Sequence, residues 1–409
     1  MNIWKISLQN IKSKPLYTFL SVFVLVLSIT LLLGIQQLKT SFEYQMERNL
    51  GGIDMVVGAK GSPLQLVLAS VLHLDNPTGN ISYQEALKIG KNPMIKSAVP
   101  ISYGDNYEGY RIVGTTADFG SLYHAELEQG SGVKKSMDVV LGNSVAQHLK
   151  LNIGDTILST HGLVDATVEV HSDKLTIVGI LKPTKKVIDR LIITNLQSVW
   201  DVHDHKEEHL EESEEHHDGH AHEEHDDSKE ITSLLITFRN PRGLVTLPRK
   251  INKQVGLQAA LPKYELDRLY AYTGVGFKTI TAVAYIILII SGIMIFTSLY
   301  KMVKERAFDL ALLRTYGARN FQLIKIVAYE GFTIAFTAFA LGFLFLKIGL
   351  KYVFKMMNAD DKLYMLQELP YQDLLHTGGS IIILTTVSVL LAIYPILKMD
   401  IATILSNEK

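Results

Sequence analysis

The run PLYTFLSVFVLVLSITLLLGIQQL, residues 15–38, decides the class of this chain. It sets 24 uncharged residues between Lys14 and Lys39. A helix needs about 20 predominantly apolar residues to cross a bilayer core, so the run is long enough to span one. A cleaved leader would carry a shorter apolar stretch and a small-x-small site after it, and neither is present. Three further runs follow. TITAVAYIILIISGIMIFTSLY fills 279–300, GFTIAFTAFALGFLFL fills 331–346, and TGGSIIILTTVSVLLAIYPIL fills 377–397. IKIVAY extends the third run backwards to about residue 326, which puts Glu330 near an interface or against other helices.

Four spans imply five other segments. Residues 1–14 carry Lys5, Lys12 and Lys14 among Ile3, Trp4, Ile6, Leu8 and Ile11, the pattern of an interfacial helix or of a plain positive anchor. The segment 301–325 carries Lys301, Lys304, Arg306, Arg314, Arg319 and Lys325. Basic loops stay on the cytoplasmic side, so both termini and 301–325 are expected there. Residues 39–278 and the short loop 347–376 are then extracytoplasmic, and 398–409 forms a cytoplasmic tail. A multi-pass membrane protein with both termini in the cytoplasm follows.

The formal net charge of −1 hides an asymmetry. Between His203 and Asp227 stand eight histidines and twelve acids against one lysine, a local charge of −11, so the remainder is about +10. With four apolar runs, that basic remainder suits an anionic membrane surface rather than nucleic acid. There are no cysteines, which excludes disulfides, thiolate zinc sites and iron–sulfur clusters.

Residues 39–278 read as mixed α/β. Runs rich in β-branched residues recur at 110–116, 138–142, 155–160, 166–172, 174–181, 190–194 and 233–239. Helical patterns occur at 83–90, 143–150 and 247–255. GGIDMVVGAKGSPLQLVLASVLH, residues 51–73, contains GAKGS, but a phosphate loop needs GxxxxGK[ST] after a strand. The spacing here is wrong, and the run is read instead as an apolar segment at the mouth of the membrane domain.

The acidic run, an insertion over 202–228, offers His203, His205, His209, His216, His217, His220, His222 and His225. Imidazole and carboxylate together are ligands for zinc, copper or nickel. A zinc-collecting or zinc-sensing loop is the favoured expectation for this tract. A solvated acidic linker is the bland one, and a structured catalytic metal site lacks the HExxH spacing.

KMVKERAFDLALLRTYGARNFQLIKIVAYEG, residues 301–331, interleaves charges with Leu310, Leu312, Leu313 and Phe321. It reads as a helix, a break at Gly317–Ala318, and a second helix entering the third span, a form suited to docking on a partner. This stretch resembles the FtsX-like, MacB-type (type VII) ABC transporter permeases, whose pattern runs RRxEIGILRALGAxRRQI. Asp309 stands on its Glu, Arg314 on its Arg, Gly317 and Ala318 on its GA, and Gln322 on its Gln. WKISLQNIKSKPLYTFLSVF is similar to the family's opening, DVVLGNSVAQHLKLNIGDTI to its VVIGxxLAxxLGLKVGDxI, and LTIVGILKPTKKVIDRLIIT to its VVGIxxxTGxxxDxxxFV. YPILKMDIATILSNEK is similar to its ending, with Ile401 where proline is usual. VVGAKGSPLQLVLASVLHLDNPTGN points to an uncharacterised subgroup near the lipoprotein-release permeases.

The resemblance implies an α+β membrane protein with a large mixed α/β extracytoplasmic domain between helices 1 and 2. It implies a permease that is no enzyme and binds no cofactor of its own, since there is no Walker A motif. ATP would be hydrolysed by a separate MacB/LolD-like ATPase seated on Lys304, Glu305, Arg306, Asp309, Leu313, Arg314, Gly317, Ala318 and Gln322. A permease homodimer, a periplasmic lipoprotein or binding protein, and mechanotransmission for export, lipoprotein extraction or zinc-linked cargo are expected with it. The alternative is an FtsX-like scaffold that regulates an extracytoplasmic hydrolase.

Overall fold

The computed structural model describes residues 15–160, 170–202, 229–356 and 368–398, together with Ser7 and Gln9. The histidine run 203–225, most of the expected interfacial helix 1–14, part of the loop 347–376 and the tail after Lys398 lie outside the described residues. The chain divides into two compact units, one of residues 1–42 with 272–409 and one of residues 43–271.

Among the described residues the membrane unit has four helices long and apolar enough to cross a bilayer: α1 (Pro15–Asn49), α7 (Pro262–Glu305), α9 (Asn320–Met356) and α10 (Tyr371–Lys398). The apolar runs read from sequence lie inside them. α1 and α7 continue well beyond their apolar stretches, to Asn49 and back to Pro262. Leu25, Ile29, Leu33, Leu288, Ile295, Ile334, Ala338 and Ala392 form the interior. Phe19, Ile293, Phe336 and Leu390 remain exposed, as residues facing hydrocarbon do. Lipid tails are as apolar as leucine, so such helices associate by close packing and hydrogen bonds. Ser28 Oγ accordingly donates to Ala284 O (3.4 Å), Thr30 Oγ1 to Gly342 O (3.1 Å) and Ser388 Oγ to Gly292 O (3.0 Å). Glu330 is buried on α9.

Among the described residues the outer unit holds twelve strands. Ten join in one sheet, ordered β12 (Leu257–Ala260), β1 (Met55–Ala59), β11 (Ser233–Phe238), β3 (Ile95–Tyr107), β4 (Tyr110–Thr115), β9 (Leu191–Asn195), β6 (Asp138–Leu141), β8 (Val170–Leu181), β5 (Leu127–Gly130). The tenth, β7 (Thr156–Thr160), pairs with both β8 and β3. That double pairing closes β3, β4, β9, β6, β8 and β7 into a six-stranded barrel. Its interior is Ile112, Val139, Leu141, Ile157, Leu175, Ile177 and Ile192. Two of its pairings, β4 with β9 and β6 with β8, are parallel.

The other lobe is the antiparallel sheet β12-β1-β11-β3, flanked by α2 (Pro63–Ser70), α3 (Tyr83–Gly90) and α6 (Arg242–Ile251). Successive strand side chains face opposite ways. Met55, Val57, Leu234 and Ile236 accordingly belong to one core, and Val56, Leu235, Leu66 and Val67 to another. With both faces covered, MVV and LLI read as continuous apolar runs rather than alternating ones.

Two sequence expectations change here. Residues 51–73 are a central strand and a packed helix of the outer unit, because Met55, Val56, Val57, Leu66 and Val67 are all fully buried. The helix expected at 247–255 is Arg242–Ile251, since its apolar spacing already starts at Gly243 and Leu244, and Asn252–Gly256 turns into β12. The histidine run stands between two strand regions, at 191–195 and 230–238. It follows a helical segment, 196–202, after barrel strand β9 and precedes β10 (Glu230–Ile231) and β11 of the other lobe.

Candidate functional site

α7 ends at Glu305, and Arg306, at φ −108°, turns the chain into the short helix α8 (Ala307–Thr315). Leu310 and Ala311 are buried, and Leu310 joins Val303, Leu323 and Val327 in the membrane unit's core. Leu313 and Arg314 are half-buried. α8 therefore lies against the bundle by one face and leaves Lys304, Glu305, Asp309 and Leu312 exposed near or along the other.

The turn after α8 explains two motif residues. Gly317 sits at φ +91°, a conformation that costs other L-residues about 1–2 kcal/mol. Its N–H donates to Arg314 O (3.1 Å), and Ala318 N–H donates to Leu313 O (3.0 Å). This is the Schellman arrangement, which satisfies the last carbonyls of a helix. α9 begins three residues later, and Gln322 Oε1 accepts from Arg319 N (3.0 Å), as in the return half of a capping box. Gly317, Ala318 and Gln322 thus build the turn.

The turn presents a pair of aromatics absent from the expected site residues. Tyr316 is 82% exposed and Phe321 64% exposed, with Lys325 Nζ 4.7 Å from the Phe321 ring centre. Large aromatics beside charges are the composition of an interface centre. Their sizes were visible in the sequence; only the turn geometry shows that both point outward.

The outer unit offers a buried polar cluster instead. His73 Nδ1 lies 2.7 Å from Tyr103 Oη, and Tyr103 Oη donates to Ala69 O. Burial, with Arg111 nearby, holds the His73 imidazole down at about 3, and burial pushes the Tyr103 and Tyr123 phenols up. These groups are enclosed and so poorly placed for solution chemistry. Among the described residues no three His, Asp or Glu side chains gather as a metal site.

The fold defines a membrane protein with an α/β unit inserted between its first two long helices, and an exposed helical turn between its second and third. The MacB-like periplasmic core domain matches residues 18–231, more than half of the chain, and the FtsX-like permease C-terminal domain matches residues 281–401. The chain belongs to the FtsX/MacB-type ABC transporter permeases, a family of transporter subunits rather than of enzymes. A comparison with curated proteins found no match. Among solved structures, the periplasmic region of MacB from Actinobacillus actinomycetemcomitans is similar at 12% identity and TM-score 0.34, over 55% of this chain and 97% of that one. The extracellular domain of the noncanonic ABC-type transporter YknZ from Gram-positive bacteria is similar at 9% and 0.30, over 50% and 98%. A domain of a putative permease protein from Porphyromonas gingivalis is similar at 14% and 0.26, over 52% and 88%.

Proposed function

We propose that this chain is a permease subunit that converts ATP hydrolysis by a separate ATPase into movement of its outer unit, with no passage of cargo through the bilayer required. The exposed turn between α8 and α9 carries this reading. Tyr316, Phe321 and Leu312 offer apolar anchors, Asp309, Arg319 and Lys325 a charged rim, and Leu310 ties the whole to the bundle core. A partner gripping this turn would act directly on the ends of α7 and α9. By the excess of lysine and arginine in 301–325, the turn lies in the cytoplasm, where ATP is.

Exposed aromatic anchors can be removed without unfolding the bundle. The double variant Tyr316→Ala with Phe321→Ala is expected to lose about 30-fold in affinity for the ATPase subunit, since one interface hot spot is worth about 2 kcal/mol. The measurement is co-purification, from detergent-solubilised membranes, of a subunit that hydrolyses ATP. Recovery equal to that of the parent chain would sink the assignment.

A further inference from the structure

The end of α1 is fastened to one particular loop of the outer unit. Three side chains in its last two turns reach the loop 182–190 between β8 and β9. Gln45 Nε2 donates to Lys185 O (3.1 Å), Arg48 Nη2 donates to Thr184 O (2.9 Å), and Asn49 Oδ1 accepts from Val187 N (3.0 Å). Gln45 also donates to Asn49 Oδ1 (3.2 Å), which holds the pair in register. Just past the helix, Gly52 N donates to Leu122 O (3.1 Å), and Lys186 Nζ donates to the next carbonyl, Tyr123 O (2.7 Å).

The same loop is gripped from its other side. Asp189 is only 5% exposed, and its carboxylate accepts from Thr184 N (2.9 Å), Lys185 N (2.7 Å) and Thr184 Oγ1 (2.7 Å). Thr184 and Lys185 therefore give their amides to Asp189 and their carbonyls to α1. Lys185 lies at φ +58°, the left-handed conformation that such a tight loop demands. It occupies the glycine position of the pattern TGxxxD, whose Thr and Asp are Thr184 and Asp189. The motif words have a concrete role here: they shape a handle for the helix.

The loop joins β8 to β9, two strands of the barrel. α7, by contrast, starts two residues after β12, the edge of the other lobe. α1 itself runs through Asp54, whose N–H donates to Ile236 O (2.9 Å), into β1, the neighbour of β12. Both long helices are thus rooted in the sheet lobe, and the loop 182–190 ties α1 to the barrel as well. Tyr270 Oη donates to Glu43 O (3.3 Å) between the two helices. The lobes share β3, whose pairing with β4 is irregular between Tyr103 and Asn106.

We propose that Asp189 and Thr184, with Gln45, Arg48 and Asn49, form a clasp that makes the barrel lobe move as one body with the end of α1. As a transmitter the clasp rests on the mechanical reading above, and it adds the residues by which α1 drives the barrel as well as the sheet it runs into. Asp189 is a positioning residue: it acts by presenting two carbonyls to the helix.

The chain has no cysteines, so two introduced ones can be labelled selectively. Glu47→Cys on α1 and Gln147→Cys on α5 (Asn143–Leu149) are both exposed. Nitroxides there report the helix-to-barrel distance by pulsed electron resonance, on the full chain in lipid nanodiscs. The parent is expected to give one narrow distance peak. Arg48→Ala with Asn49→Ala is expected to lose that narrow peak, and Asn49→Asp, which keeps an acceptor for Val187 N, to retain it. A second pair within the barrel, Gln147→Cys with Lys174→Cys, stays narrow throughout and shows that the lobe is folded. A peak unchanged by the double alanine variant overturns the clasp, and so does a broad peak in the parent beside a narrow barrel pair. No ATPase is present in this measurement, so its failure is distinct from a failure of the docking turn.

Discussion

Glycine makes the closest approaches in both units, but what it touches differs. In the outer unit a Cβ on Gly142 would collide with the carbonyl oxygens of Ile188 and Asp189. In the membrane unit a Cβ on Gly292 would meet the Leu384 side chain at 2.6 Å, and one on Gly331 would meet Val389 Cγ2 at 2.7 Å. Those carbonyls belong to the turn Val187–Arg190, which is held by Leu191 N–H on Ile188 O and by the Asp189 carboxylate, whereas a leucine tip can change rotamer. At Gly130, Gly142 and Gly179 the outer unit is keyed through its backbone, although Gly58, Gly114 and Gly243 there meet side chains. The bundle is keyed through side chains that can repack.

Gly142→Ala tests the first half most severely. Gly142 has φ −63° and ψ 151°, which alanine adopts freely, so the whole cost is collision. It caps α5, donates to Leu191 O (2.9 Å), and abuts the Asp189 that shapes the clasp loop. Overpacking usually costs 1–3 kcal/mol, and with backbone on the far side about 3 kcal/mol is expected. Thermal unfolding of the outer unit should fall by roughly 6–12 °C. A fall under 2 °C would show that β6 and the loop yield after all.

The polar interiors differ in the same sense. Hydroxyls of the membrane helices mostly bond a carbonyl four residues back, as Ser291 does to Ile287 O (2.8 Å) and Thr333 to Tyr329 O (2.6 Å). In the outer unit His73 is bound across elements to Tyr103, and its Nε2 is buried with no hydrogen-bond partner among the described residues. With its folded value near 3, His73 stays neutral where an unfolded imidazole begins to protonate near 6.5. Between those values the unfolded chain binds the extra proton, so stability is complete above about pH 6.5 and is lost as pH falls. From pH 7 to pH 5 the loss attributable to this group is about 2 kcal/mol. The check is the melting temperature of the outer unit at the two pH values, in the parent and in His73→Gln. The difference should shrink in the variant; equal differences would remove His73 from the account.

The two units were also unequally legible in the sequence. Each membrane helix announces itself by length and apolarity, signals that need no partner to be read. The strands β4, β6, β9 and β11 were visible as β-branched runs. The barrel was not, because it depends on pairings such as Asn106 with Thr160 and on parallel neighbours such as Val139 with Ile177. β1 was hidden for a different reason: buried on both faces, MVV shows no alternation. In the turn between α8 and α9, the motif marked Gly317 and Gln322, which make the turn. It did not single out Tyr316 and Phe321, whose value lies in being left over from packing. The clasp was half visible, since Thr184 and Asp189 belong to a recognisable pattern. Their partners Gln45, Arg48 and Asn49 sit on a helix end with no sign of their target 136–140 residues away.

The mildest test falls on the bundle. Gly292 lies where α7 meets α10, and its carbonyl accepts from Ser388 Oγ (3.0 Å). A methyl group there must push the Leu384 tip aside, which a rotamer change accomplishes, and alanine also favours the helix over glycine by about 1 kcal/mol. The two effects oppose each other, so Gly292→Ala should alter stability by no more than about 1 kcal/mol. The Ser388 bond must survive for this to hold, because moving α10 outward would break it. Thermal unfolding in detergent, followed by the helical signal, is the measurement. A loss as large as that of Gly142→Ala would mean that the α7–α10 contact is as unyielding as the outer unit's backbone, and the contrast between the two units would collapse.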